Sequence, residues 1–283
     1  MPLPTRCRIC ARSPTRCGCA VAGSTASSAG RSNTLEPNHD RGGGRVTGKA
    51  RGRAPVVTDT DIRRVARALL AAQGPDAVTL RAIARELGVT APALYRHYAS
   101  RDELIERLRT QFCTDLAGFL SAEIAVLPDD GAVQFLAICR GFRRWALANP
   151  REYTLVFASP TSGPEMMRRF GEPFGRIFLA AAGRLLANFE IATPPGETIP
   201  AALRDDLIGF QTELLAMLSE SGQKFPAEKL DLGVTYLMVQ IWARLFGHVT
   251  LEVFGNYPIP LADPEVMFDA MLADLARTTG FAR

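Results

Sequence analysis

Residues 79–108, TLRAIARELGVTAPALYRHYASRDELIERL, decide the fold. Thr79 is a helix-capping residue, and Leu80, Ile83, Ala84 and Leu87 repeat at helical spacing up to Gly88, which reads as a short amphipathic helix ended by glycine. Thr90 can cap a second helix, with Pro92 in its first turn where a missing N–H does no harm. A helix-turn-helix unit needs a small residue where its helices cross, a residue at ease with positive φ in the turn, and an apolar anchor on the second helix. Ala84, Gly88 and Leu94 stand in those places, with Ile83 and Val89 completing the small core. The unit spans residues 79–98.

A plain helical hairpin would satisfy the same pattern. It would not explain the second helix, which is polar or small except at Leu94 and carries Tyr95, Arg96, His97 and Tyr98. Ala91 and Ala93 let a backbone enter the major groove and meet thymine methyls, and Arg96 can fork onto guanine. Tyr95, His97, Tyr98 and Arg101 have the reach and the donors for phosphate oxygens, which position a helix without reading sequence.

Over roughly residues 58–118 this pattern resembles the TetR family of transcriptional regulators. The resemblance implies a homodimer that binds a palindromic operator on double-stranded DNA, commonly as a repressor released by a small ligand. It also implies that Thr79, Tyr95, Tyr98 and Arg101 touch the DNA backbone while Thr90, Ala91, Ala93 and Arg96 face bases. Arg101 stands where the family usually has Lys, which keeps a cation for phosphate. FRRWALANPREY (142–153) and WARLFGHVTLEVFG (242–255) resemble the sensor domain of a TetR subgroup named for a Trp-His-Gly signature. Here Phe246 replaces the His before Gly247, and His248 follows it.

Upstream, Ile62, Val65, Ala66, Leu69 and Leu70 form the stripe of a first helix that ends near Gly74-Pro75. Residues 1–57 hold ten Lys/Arg and two acids, a net +8, against +4 for the whole chain. This Gly-, Ser- and Arg-rich stretch is expected to be a disordered basic tail, since it has too few apolar residues to offset its ordering entropy. Cys7, Cys10, Cys17 and Cys19 lie in it, but two tight pairs so close together do not match the usual spacing of zinc ligands. No metal or other cofactor is expected. Residues 58–110 carry +2 and residues 111–283 carry −6, so a polyanion partner belongs at the N-terminal end. With no apolar h-region at the start and no membrane-length apolar run, a cytoplasmic location and reduced thiols are expected.

Ser100 with Glu103 reads as a capping box for a fourth helix. Further helices are expected near 131–149, 164–187 with a break at Pro173, 199–219, 227–254 and 264–279, which makes the chain all-α. Residues 58–118 are assigned to the DNA-binding domain and 119–283 to a ligand-sensing and dimerisation domain. Large soft side chains suit both a core and an apolar ligand; Trp145, Phe178, Met217, Trp242 and Phe246 are expected on the ligand wall. Val249, Val253, Met267, Met271 and Leu275 are expected at the dimer interface. Gln240, Arg244, His248 and Glu252 recur every four residues and read as a salt-bridged edge. Cys113 and Cys139 read as buried, inert thiols. With three His in the chain and no phosphate, dinucleotide or nucleophile motif, an enzyme is disfavoured.

Overall fold

The computed structural model describes residues 57–158, 172–222 and 224–281. Residues 1–56 of the expected basic tail, with its four cysteines, lie outside the described residues, as does the stretch 164–171 of one expected helix. Residues Pro55–Arg283 form one compact unit. The described residues hold helices and turns and no strand.

Helix α1 (Asp59–Gln73) starts at Thr58, whose hydroxyl accepts from Asp61 N at 3.2 Å while the Asp61 carboxylate accepts from Thr58 N at 3.3 Å. This reciprocal box satisfies two orphan donors. The whole expected stripe of α1, Ile62, Val65, Ala66, Leu69 and Leu70, is buried. Helix α2 (Leu80–Leu87) is capped by Thr79 through Ala82 N at 3.1 Å and ends at Gly88, whose φ of 67° and ψ of 29° are left-handed. A side chain there would be strained. Helix α3 (Ala91–Leu94) is one turn, shorter than the sequence suggests, and the chain leaves it through turns at Tyr95–His97.

Helix α4 (Arg101–Ala125) starts at Ser100, which accepts from Glu103 N, and Glu103 returns a bond to the N–H of Ala99. It runs unbroken through residue 118, so the expected domain boundary falls inside a helix that serves both halves. Helices α5 (Gly131–Ala148) and α7 (Pro173–Asn188) pack against it and against each other; α9 (Leu232–Val253) packs on α5, and α8 (Ala201–Ser221) and α10 (Pro264–Thr279) pack on α9. Between α5 and α7 lies α6 (Pro150–Tyr153), which continues as a wider π-turn over Thr154–Ala158. The region expected as one helix from 227 opens with a 3-10 turn at Ala227–Lys229, because Asp231 caps Val234 N at 2.8 Å and restarts the helix.

Phe142, fully buried on α5, is the hub of the C-terminal core. Its ring lies 5.4 Å from Phe157, 5.6 Å from Phe174, 5.8 Å from Phe246 and 6.0 Å from Tyr153, centroid to centroid. These tilted and edge-on arrangements suit aromatic quadrupoles. Above this hub Arg143, 8% exposed, forks onto Glu252 at 2.6 and 2.7 Å and reaches Glu265 at 3.1 Å. One guanidinium thereby ties α5 to both α9 and α10.

Candidate nucleic-acid interface

Ala84, 3% exposed, sits where α1 and α2 meet α3, and Leu94, fully buried, anchors α3 beneath it. Val89 N closes the turn on Ala84 O at 2.9 Å. With Leu94 turned inward, α3 and its exit turn present Thr90, Tyr95, Arg96 and His97 on the exposed side. Tyr95 is 53% exposed. The guanidinium of Arg96 makes no hydrogen bond or ion pair among the described residues, which leaves its planar fork unspent. Ala91 and Ala93 are half-buried, small, and next to these groups. Thr79 Oγ1 accepts from Ala82 N, and its hydroxyl proton stays free for an outside acceptor.

Two residues are placed differently from the sequence reading. Tyr98 is 2% exposed and its hydroxyl is bonded to the Asp59 carboxylate, so it locks the exit of α3 to the start of α1. Burial and that carboxylate hold its proton on well above the ordinary tyrosine range. Arg101 is half-buried, donating through Nε to Val78 O at 2.8 Å and through Nη2 to Pro75 O at 2.7 Å. It braces the turn before α2, and its other donors remain for a phosphate.

The helix-turn-helix region is tied to the C-terminal helices by backbone-directed bonds that sequence reasoning missed. Arg151 on α6 donates through Nη1 to Leu70 O at 3.1 Å and Ala71 O at 2.7 Å, the last-turn carbonyls of α1. Arg109 on α4 donates to Leu155 O in the π-turn at 3.1 Å. From there the Tyr153 hydroxyl meets Thr250 on α9 at 2.7 Å, and Phe157 and Phe246 approach to 5.4 Å. Phe246 lies 4.9 Å from Trp242.

Trp242 and Phe178 wall an apolar cavity of about 260 Å³ between α5, α7, α8 and α9, with Phe135, Leu186, Phe210 and Met238 among its other sides. Of the five expected ligand residues these two line it. Trp145, Met217 and Phe246 do not, being packed into the surrounding core. Two expected interface residues lie inside the protomer: Val249 is fully buried and Leu275 is 2% exposed, both in the main core. Val253 and Met271 are half-buried against that core. Met267, 48% exposed, lies beside Val266 at 64%, and Val239, Leu251 and Phe254 are exposed on α9 and its end. The expected edge of α9 is divided: Glu252 binds Arg143, Arg244 lies 3.6 Å from Asp274, and His248 Nδ1 lies 3.3 Å from the Tyr257 hydroxyl. Cys113 and Cys139 are buried free thiols, the latter pushed up to about 12 by burial. No helix among the described residues is long and apolar enough to cross a membrane.

A left-handed glycine turn between two short helices, an anchored second helix and an unspent arginine on its outer side define a helix-turn-helix DNA-binding protein, here joined to a larger helical C-terminal part. Residues 62–108 match the family model of bacterial regulatory proteins, tetR family, and residues 135–275 match that of the tetracyclin repressor-like C-terminal domain. The chain is 32% identical over 216 residues to an HTH-type transcriptional regulator of Mycobacterium bovis, covering 75% of this chain and 88% of that one. The same figures relate it to an HTH-type transcriptional regulator of Mycobacterium tuberculosis. A regulatory protein of known crystal structure superposes with a TM-score of 0.53 at 25% identity, over 76% of this chain and 93% of that one. A protein from Rhodococcus sp. RHA1 shares the fold, with a TM-score of 0.55 at 16% identity over 80% and 99% of the two chains. This chain belongs to the TetR family and is a DNA-binding transcriptional regulator.

Proposed function

We propose that the protein works in the cytoplasm as a homodimeric repressor, holding a palindromic operator until a small, largely apolar molecule enters the sensor cavity. The observation that carries this reading is the continuous set of contacts from Trp242 in the cavity wall, through Phe246, Tyr153 and its α6 neighbour Arg151, to the carbonyls of α1. A ligand that prefers a different spacing of these groups shifts α1, and with it α3. Only such a difference in affinity between two arrangements can couple the sites.

In the reader, Arg96 takes the role of base contact, with Thr90, Ala91 and Ala93 beside it, while Thr79, Tyr95, His97 and the spare donors of Arg101 go to phosphates. Tyr98 contributes by holding α3 in place. A single one-turn reader contacts too few base pairs to select a site in a genome, so two must act together. The exposed apolar residues Val239, Leu251, Phe254, Val266 and Met267 support a two-fold face on α9 and α10.

Titrating the full chain onto a selected operator duplex at increasing salt tests the proposal. Affinity is expected to fall linearly on a log–log scale, with a slope matching several released counterions, and with two subunits bound per duplex. Binding that ignores salt, or one subunit per site, contradicts it.

A further inference from the structure

The apolar cavity has a polar neighbour. A recess of about 330 Å³ shares Leu237, Ile241 and Thr279 with the cavity wall, and adds Gln240, Arg244, Thr193 and Thr278. The two spaces therefore adjoin along these three residues. Along α9 the cavity-lining residues run from Val234 to Leu245, about 16 Å of helix. Gln240 and Arg244, one turn apart, stand beside this run on the recess side.

The recess is built rather than loose. Its outer wall, the 192–194 loop, is fixed by Ala192 N donating to Thr279 O at 3.0 Å. The loop also presses on the start of α9, where a Cβ on Gly233 would come within 2.6 Å of Pro194 O. Glycine at 233 is thus what lets the wall approach.

Arg244 is the charged residue among those that line the recess. Asp274, beyond the lining, is held by Arg277 at 2.6 Å, while Arg244 stands 3.6 Å from it with its side chain half exposed. Two guanidinium groups face one carboxylate, leaving a net +1. The Gln240 side chain makes no hydrogen bond among the described residues. An anion on Arg244 would gain charge-assisted hydrogen bonds that its long contact with Asp274 does not supply.

We propose that the effector is an anionic amphiphile: a carboxylate carried on a medium-length aliphatic chain. The chain lies in the cavity among Phe178, Leu186, Met238 and Trp242, and the carboxylate sits in the recess on the Arg244 guanidinium and the Gln240 amide. This rests on the reading that the cavity takes the effector, and it adds the chemistry of the head group. An uncharged apolar molecule would fill the cavity and leave the recess to water. A cationic one would meet the excess positive charge.

The test is calorimetric titration of the full chain with decanoate and with 1-decanol, which share the tail and differ in the head. Decanoate is expected to bind about tenfold or more tighter, the worth of a hydrogen bond between charged partners. Arg244→Gln is expected to lower decanoate affinity about tenfold while leaving decanol within about twofold. Gln240→Glu, which places a like charge beside the carboxylate, is expected to act in the same direction. Equal binding of the two compounds by the parent chain, with neither variant discriminating between them, overturns the anionic head but leaves an apolar effector standing. Equal loss of both compounds in Arg244→Gln also overturns it, since that reports damage to the cavity. Failure of both compounds to bind the parent chain overturns the head group together with the cavity reading beneath it.

Discussion

Arg96 and Arg101 are five residues apart and do different work. Arg96 is exposed and unpaired among the described residues, so Arg96→Ala should leave the fold intact and relax preference at one base pair by about 1–3 kcal/mol in competition binding. Arg101 braces Val78 O and Pro75 O. Arg101→Ala should therefore weaken binding to all sequences alike and also cost about 1–2 kcal/mol in urea unfolding, whereas an unchanged unfolding midpoint would assign it to phosphate alone. His248 supplies a pH prediction. Burial pushes its imidazole below the usual histidine range, with Glu252 opposing weakly. The unfolded chain then takes up the proton more readily than the fold, so this contribution is complete above about pH 6.5 and is lost as pH falls toward the folded value. Urea midpoints should decline with acidification from pH 7, and His248→Gln should flatten that part of the decline.

Helix α1 could be read from its sequence because its apolar residues recur at one helical period and Thr58 and Gly74 mark its ends. The same logic located α2, α4 and α10. It failed at α6 and the π-turn, where Pro150 looks like a stop and TLVFA has no period to betray a wider turn. The cavity was half legible: Phe178 and Trp242 line it, but Trp145, Met217 and Phe246 belong to the packing around it. Aromatic content alone does not tell a wall from a core, because both need large apolar groups. Gln240 and Arg244 were visible as a polar edge, yet their nearness to the 192–194 loop depends on contacts far apart in sequence. The missed element carries the sharpest test of coupling. Arg151→Ala removes both bonds to the last turn of α1, and should leave ligand affinity within about twofold while reducing the ligand's effect on operator affinity. Phe142→Ala, at the hub of the aromatic cluster, is expected to cost about 3–5 kcal/mol by thermal unfolding; a cost below about 1 kcal/mol would mean that the cluster closes around the gap.

At the scale of the whole molecule, the two C-terminal helices divide their apolar residues between the core and the surface. Val249 and Leu275 face the protomer's own core, which the sequence pattern could not distinguish from a second apolar side, and Val266 and Met267 are left outside. Leu275→Glu should therefore unfold the chain, while Val266→Glu with Met267→Glu should leave it folded and monomeric by light scattering. A folded double variant that remained dimeric would place the interface elsewhere. The proposed dimer needs both subunits' readers on one site, so the most direct measurement is selection of duplexes from a random pool by the full chain, run in parallel with Arg96→Ala. The account predicts a palindromic consensus whose two half-sites lie about one helical turn of DNA, or a multiple of it, apart, with preference lost at one symmetric pair of positions in the variant. Recovery of no consensus, or of the same consensus at undiminished strength from Arg96→Ala, would contradict the claim that α3 reads DNA through that arginine.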